Sequence, residues 1–236
     1  MTAKYEDYDA AIRAFWAGRD LQTQRQIESG NVDAGTRGSV TGGSHLNALQ
    51  ELIAREFAPL AEMGVRVRHR GILPLPGYYR RAKNWDIVVT YNDILVAAIE
   101  CKSQVGSFGN NFNNRTEEAV GNAVDLWRSY EAGFFGAVRP WLGFVFVIEH
   151  AVGSTTAVHD QGTPIFRTDP AFDNSSYTTR YQILFDRLVR DRLYDAACLI
   201  STVNGEGIYA EPLLEVSTVN LTAAIAGRIA YIQGIM

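Results

Sequence analysis

Asp86, Glu100 and Lys102 are the residues of this chain whose types and spacing could do chemistry together. Two neighbouring carboxylates make a site for a hard divalent cation, which prefers carboxylate and carbonyl oxygens and keeps several of its waters. An ammonium beside such a cation can orient or deprotonate an attacking water. Such a set suits the hydrolysis of a phosphodiester. Glu100 and Lys102 stand two apart in the run ILVAAIECK (94–102), so on a strand both side chains leave by one face. Cys101 points the other way into apolar packing, and its main-chain carbonyl is a candidate third ligand. An acid, a gap and Glu-x-Lys occur together often by chance, and a surface ion pair between Glu100 and Lys102 is the plainer reading. Placement favours chemistry: charges closing the apolar run LVAAI are unusual for a surface pair.

Asp86 must share the face of Glu100, which constrains how WDIVVTY (85–91) joins ILVAAIECK. A two-residue turn at Asn92 and Asp93 pairs Asp86 with Ile99 and turns Glu100 away. A three-residue loop, or one bulge, sets Asp86 opposite Glu100. The sequence therefore predicts an odd-length or bulged connection around residues 92–94.

The elements that must position these groups interleave along the chain. A helix is expected over 4–28, then a Gly/Thr/Ser-rich loop (31–44), then a helix capped by Ser44 and running to about Met63. Leu46, Leu49, Ile53, Phe57 and Leu60 share one face of that helix. Strands are predicted at 65–69, 85–91, 94–102, 142–148 and 195–202. SQVGSFGNNFN (103–113) reads as a polar loop, with Asn114 and Glu117 spaced as a capping box for a helix to about Tyr130. A long loop over 150–176, a helix at 178–193 and a final helix at 218–233 complete the reading. Alternating strands and helices predict an α/β fold with a mixed central sheet flanked by helices. The expected organisation is one domain: a helical part over 1–63, a catalytic core over 64–205 and a C-terminal helix over 217–234.

Composition narrows the class. Apolar residues are 47% and charged residues 20% of the chain, which supports a sizeable globular core. MTAKYEDYDA has no apolar stretch of the signal-peptide kind, and the longest apolar runs are too short to span a bilayer. Cys101 and Cys198 lie in strand-like runs, so neither a disulfide framework nor a zinc site is expected. A cytoplasmic location without a membrane partner follows as an expectation. The net charge of −4 argues against a protein that coats nucleic acid. The charge is uneven, however: VRVRHRGILPLPGYYRRAK (65–83) holds six Arg/Lys residues and no acid. That strip reads either as a solvated face or as a line of phosphate contacts. The glycines at 35–43 lack the Lys-Ser/Thr ending of a nucleotide-binding loop and read as a flexible arm. His45, His69, His150 and His159 form no catalytic pattern.

Asn84-Trp85-Asp86 followed by Glu100-Cys101-Lys102 resembles the PD-(D/E)xK nucleases, with the proline of the general motif absent. AGTRGSVTGGSHLNAL (34–49), WDIVVTYNDILVAAIECKSQVGSFGNNFNNRTEEAVG (85–121) and AVDLW (123–127) more narrowly resemble the XhoI-type family of type II restriction endonucleases. The resemblance implies a restriction-endonuclease-like core and a homodimer that cuts both strands of duplex DNA at a palindromic hexanucleotide, CTCGAG or a close relative. It implies Mg²⁺ dependence and 5′-phosphate ends. Asp86 and Glu100 become metal ligands and Lys102 the residue that prepares the water. A repair nuclease or junction resolvase with the same centre, or a silent DNA-binding relative, are the alternatives.

Further candidates come from the residues themselves. Glu56 lies on the inward stripe of its helix and could reach the metal, or could be an edge residue with a solvated tip. Glu117 and Glu118 are most simply acids at a helix start. Arg37, Arg80, Arg81, Lys83, Asn110, Asn111, Asn113, Asn114 and Arg115 are candidate DNA contacts, since asparagine amides suit adenine edges and arginine suits guanine or phosphate.

Overall fold

The computed structural model describes residues 2–28, 43–159 and 165–236. The Gly-rich segment that holds Arg37 lies outside them. Eight strands are described: β1 (Arg66–Arg68), β2 (Pro74–Pro76), β3 (Ala82–Asn84), β4 (Ile87–Tyr91), β5 (Ile94–Gln104), β6 (Trp141–Glu149), β7 (Ala196–Val203) and β8 (Gly207–Ala210). The longer helices are α1 (Tyr5–Glu28), α2 (Asn47–Glu56), α3 (Phe108–Glu131), α4 (Tyr177–Arg190) and α5 (Thr218–Ile235). Among the described residues no helix is long and apolar enough to cross a membrane.

The main sheet has the order β1-β4-β5-β6-β7-β8, while β2 and β3 pair apart from it as a small hairpin. β5, β6 and β7 are mutually parallel, and β4 and β8 run antiparallel to their neighbours. This is the mixed α/β sheet that the interleaved pattern predicts. Both faces of β6 are buried, which explains its unbroken apolar run. Val145 and Val147 join the core under α1, α2 and α5, whereas Phe144, Phe146 and Ile148 join the core under α3 and α4.

The α2 region departs in detail from a single helix capped at Ser44. Gly43–Leu46 and Ala58–Met63 are 3₁₀ turns at either end of α2. Leu46, Leu49, Ile53, Phe57 and Leu60 are all buried, as their spacing predicts.

The β4–β5 connection corrects the location of the expected bulge. Tyr91 pairs with Ile94 across a two-residue turn, with Asn92 in the left-handed region (φ 50°). The bulge lies within the strands instead: Val89 faces Ala97 and Thr90 faces Leu95, leaving Val96 without an opposite residue. Ile87 then faces Ile99, so Asp86 comes opposite Glu100. The bulged carbonyl is tied down from a distance. Arg228 of α5, 9% exposed, donates to Val96 O through Nε (3.1 Å) and Nη2 (2.9 Å), and Nη2 also donates to Arg139 O (2.9 Å). Replacing Arg228 by methionine keeps the apolar stem and orphans both carbonyls. The expected loss is about 1–3 kcal/mol of stability, read as a lower urea midpoint; an unchanged midpoint would show that Arg228 does not hold the bulge.

Candidate active site

The site lies on the α3 face of the sheet, where β4 begins and β5 nears its end. Asp86 immediately precedes β4, and its Oδ2 accepts a hydrogen bond from the backbone N–H of Cys101 (2.8 Å). Glu100 is 2% exposed and faces the same way as Ala98, whereas Cys101 packs into the opposite core. Burying a carboxylate so fully demands counter-charge, and Glu100 has two. Its Oε1 is 2.5 Å from Lys102 Nζ and its Oε2 is 2.6 Å from Lys83 Nζ. Asp86, Glu100 and Lys102 are therefore brought together as their spacing predicts.

Lys83 was expected among phosphate contacts, but the structure places it inside the cluster. Besides Glu100 it donates to Asn84 O (2.9 Å), and its ammonium stands 4.3 Å from the centroid of the Trp85 ring. Its side chain is 12% exposed against 31% for Lys102. Lys83 is thus committed to protein partners, while Lys102 has open surface for a substrate or water. Their proton affinities diverge accordingly. Burial lowers the Lys83 pKa more than Glu100 restores it. For Lys102 burial also pulls downward, but Glu100 and Asp86 more than offset it and the pKa is raised. The Asp86 carboxyl is pushed up by burial first and by the Glu100 charge second.

Glu56 belongs to another region. It is buried, but α2 covers the sheet face opposite Glu100, and Glu56 Oε1 accepts from the Ala3 N–H (2.7 Å). The inward stripe of α2 was legible; the face that it covers was not. Among the described residues no group of three or more His, Cys, Asp and Glu side chains is assembled to hold a metal, so the site rests on the acid pair.

The expected loop over 103–113 is mostly helix. β5 continues to Gln104, and Gly106 (φ 67°) and Ser107 (φ 47°) turn the chain sharply into α3 at Phe108. Asn110, Asn111, Asn113, Asn114 and Arg115 consequently lie on the first turns of α3. Asn114 is not a cap, and Glu117 and Glu118 sit in mid-helix. Asn111 donates to Ser107 O (3.0 Å) and Asn114 to Asn110 O (3.5 Å), while Asn110 and Asn113 are exposed. Arg115 pairs with Glu118, whose charge in turn acts on Lys102.

Arg80 is not a free phosphate contact either. Its Nε pairs with Asp125 of α3 (2.7 Å) and its Nη2 donates to Asn122 (2.9 Å). Asp125 also accepts from the N–H groups of Tyr78 (2.9 Å) and Tyr79 (2.8 Å). Burial alone would raise the Asp125 pKa, but these donors outweigh it and hold the carboxyl below its ordinary value. Arg81 is exposed. The sequence reading missed the β2–β3 hairpin, because Pro74 and Pro76 argue against a strand; such prolines are tolerated on an edge like this one.

Comparison with known proteins identifies the chain's family. The family described as "Restriction endonuclease XhoI" matches residues 25–211. The type II restriction enzyme BstVI of Geobacillus stearothermophilus is 38% identical over 195 residues, 78% of this chain and 87% of that protein. AbrI of Azospirillum brasilense is 42% identical over 178 residues (71% and 78%), and XhoI of Xanthomonas vasicola 38% over 199 residues (80% and 78%). No solved structure is a significant match. With a family match across most of its length and relatives of this identity, the chain belongs to the XhoI restriction endonuclease family.

Proposed function

We propose that the protein cuts double-stranded DNA at a palindromic hexanucleotide, CTCGAG or a close relative, by Mg²⁺-assisted hydrolysis that leaves 5′-phosphate ends. A homodimer would present one active site to each strand of such a target. The supporting observation is the convergence of Asp86 and Glu100 on one sheet face with Lys102 beside them at the surface.

The donor set suits a hard cation. Asp86 and Glu100 repel one another in a buried setting, a conflict that a dication would relieve. The amide and carbonyl of a strand residue leave by the same edge, so Cys101, whose N–H meets Asp86, offers its carbonyl toward the pair. Asp86, Glu100 and the Cys101 carbonyl would therefore hold Mg²⁺. A cation bound there polarises the phosphate and acidifies a water. Lys102, half-exposed and charged, orients that water and steadies the charge that develops on the phosphate. Its proton is held by Glu100, so Lys102 gives it up more readily once that carboxylate is engaged elsewhere. Lys83 keeps Glu100 in place throughout.

Digestion of a plasmid of known sequence, followed by mapping of the ends, tests the reading. Discrete fragments with 5′-phosphates are expected with Mg²⁺ and none with a chelator. No cleavage of plain duplex, or cleavage only of branched DNA, would overturn it.

A further inference from the structure

The hairpin of β2 and β3 adds nothing to the main sheet, yet its turn is mounted rigidly. The buried Asp125 carboxylate takes the Tyr78 and Tyr79 amides and the Arg80 guanidinium together. Arg80 also reaches Asn122, and the N–H of Gly77 meets Arg81 O. Gly77 is required for this closeness: a Cβ there would stand 2.7 Å from both Arg80 O and Asp125 Oδ2. Arg128 of α3 lies against the turn, its guanidinium 5.8 Å from the Tyr78 ring centroid.

What this mount displays is unusual for a surface turn. Tyr78 is 51% and Tyr79 67% exposed, and their rings meet edge to face at 5.0 Å. Arg81 is exposed next to them in the chain, whereas Arg80, Lys83 and Arg70 of the same stretch are paired with Asp125, Glu100 and Glu51. Exposed aromatic surface beside an exposed arginine marks an interaction site, and tyrosine offers large contact area at small entropic cost. The guanidinium of Arg81 suits the base edges and phosphates of the duplex that the nuclease reading brings to the neighbouring cluster.

The root of the hairpin fixes where that partner is touched. β3 carries Lys83 into the catalytic cluster, while Arg81 and Tyr79 lie two and four residues from it. A chain reaches at most about 3.3–3.6 Å per residue, so Arg81 and Tyr79 lie within roughly 7 and 14 Å of Lys83. Duplex DNA rises about 3.4 Å per base pair, so that reach covers at most about four base pairs. We propose that the 77–81 turn is a specificity element whose Tyr79 and Arg81 contact base edges within about four base pairs of the scissile phosphate. This rests on the nuclease reading above.

The full-length protein, with Tyr79→Ala and Arg81→Ala variants, tests it by gel shift in Ca²⁺. The probes are a duplex carrying the mapped target and duplexes with one base pair changed at each position. The expected result is a loss of discrimination of about tenfold or more at one or more positions within four base pairs of the cut, with melting temperatures unchanged. Binding to the altered duplexes stays near that of the parent. Variants that discriminate like the parent would overturn the proposal. So would a uniform loss across all duplexes, which denotes phosphate contact alone. A parent that neither binds nor cuts duplex DNA would instead remove the nuclease reading itself.

Discussion

Asp86→Asn is expected to abolish cleavage while making the metal-free protein more stable. The asparagine keeps an oxygen for the Cys101 amide and removes a charge that the fold disfavours. Loss of a charged ligand to a Lewis-acid cation is worth several kcal/mol in the transition state, so the turnover number should fall about a thousandfold or more. The stability effect has a definite sign. Burial and Glu100 raise the Asp86 pKa, so the folded chain holds that proton more tightly than the unfolded chain does. Ionised Asp86 is then a cost to folding at neutral pH. The cost fades as pH falls through the raised native value toward the ordinary carboxylate range. Asp86→Asn should therefore melt above the parent at neutral pH, with the gap closing in acid. A variant that cuts normally would remove Asp86 from the mechanism; one that melts lower would show that the ionised carboxylate stabilises the fold.

Lys102→Ala should cost about 10²–10⁴ in turnover, the usual worth of a positioned proton-transfer group. Affinity for target DNA in Ca²⁺ should stay within a few-fold of the parent. Arginine should not rescue it, because a planar guanidinium neither yields a proton nor occupies the space of an ammonium. Lys83→Met is the informative contrast. Lys83 is pinned between Glu100, Asn84 and the Trp85 ring, so its loss should act through a loosened Glu100 and cost less in turnover. Equal losses in the two variants would assign both lysines to the chemistry; a fully active Lys102→Ala would exclude it.

The convergence of Asp86, Glu100 and Lys102 was legible because its signal is local. Alternation on a strand decides which side chains share a face, and charges closing an apolar run stand out. The bulge was demanded by that logic yet misplaced, since nothing within Leu95-Val96-Ala97-Ala98-Ile99 marks one residue as the extra one. Its position is tied to Arg228, far along the chain. The start of α3 was hidden for another reason. Glycine and asparagine are poor helix formers, but Phe108 and Phe112 are buried against Tyr177 and Tyr181 of α4, and that packing overrides local preference. Glu56 shows the limit of periodicity: it reveals that a side chain turns inward without revealing toward which of two cores.

The grip of Arg228 on the Val96 carbonyl spans 132 positions of the chain. The alignment of Asp86 with Glu100 therefore answers to a helix that leaves the ribosome long after both acids have been joined. A polypeptide released before that helix carries every reactive group but lacks the clasp that sets their alignment. A chain shortened before α5 is therefore expected to keep its reactive groups yet cut poorly, which a digestion assay on such a variant would check.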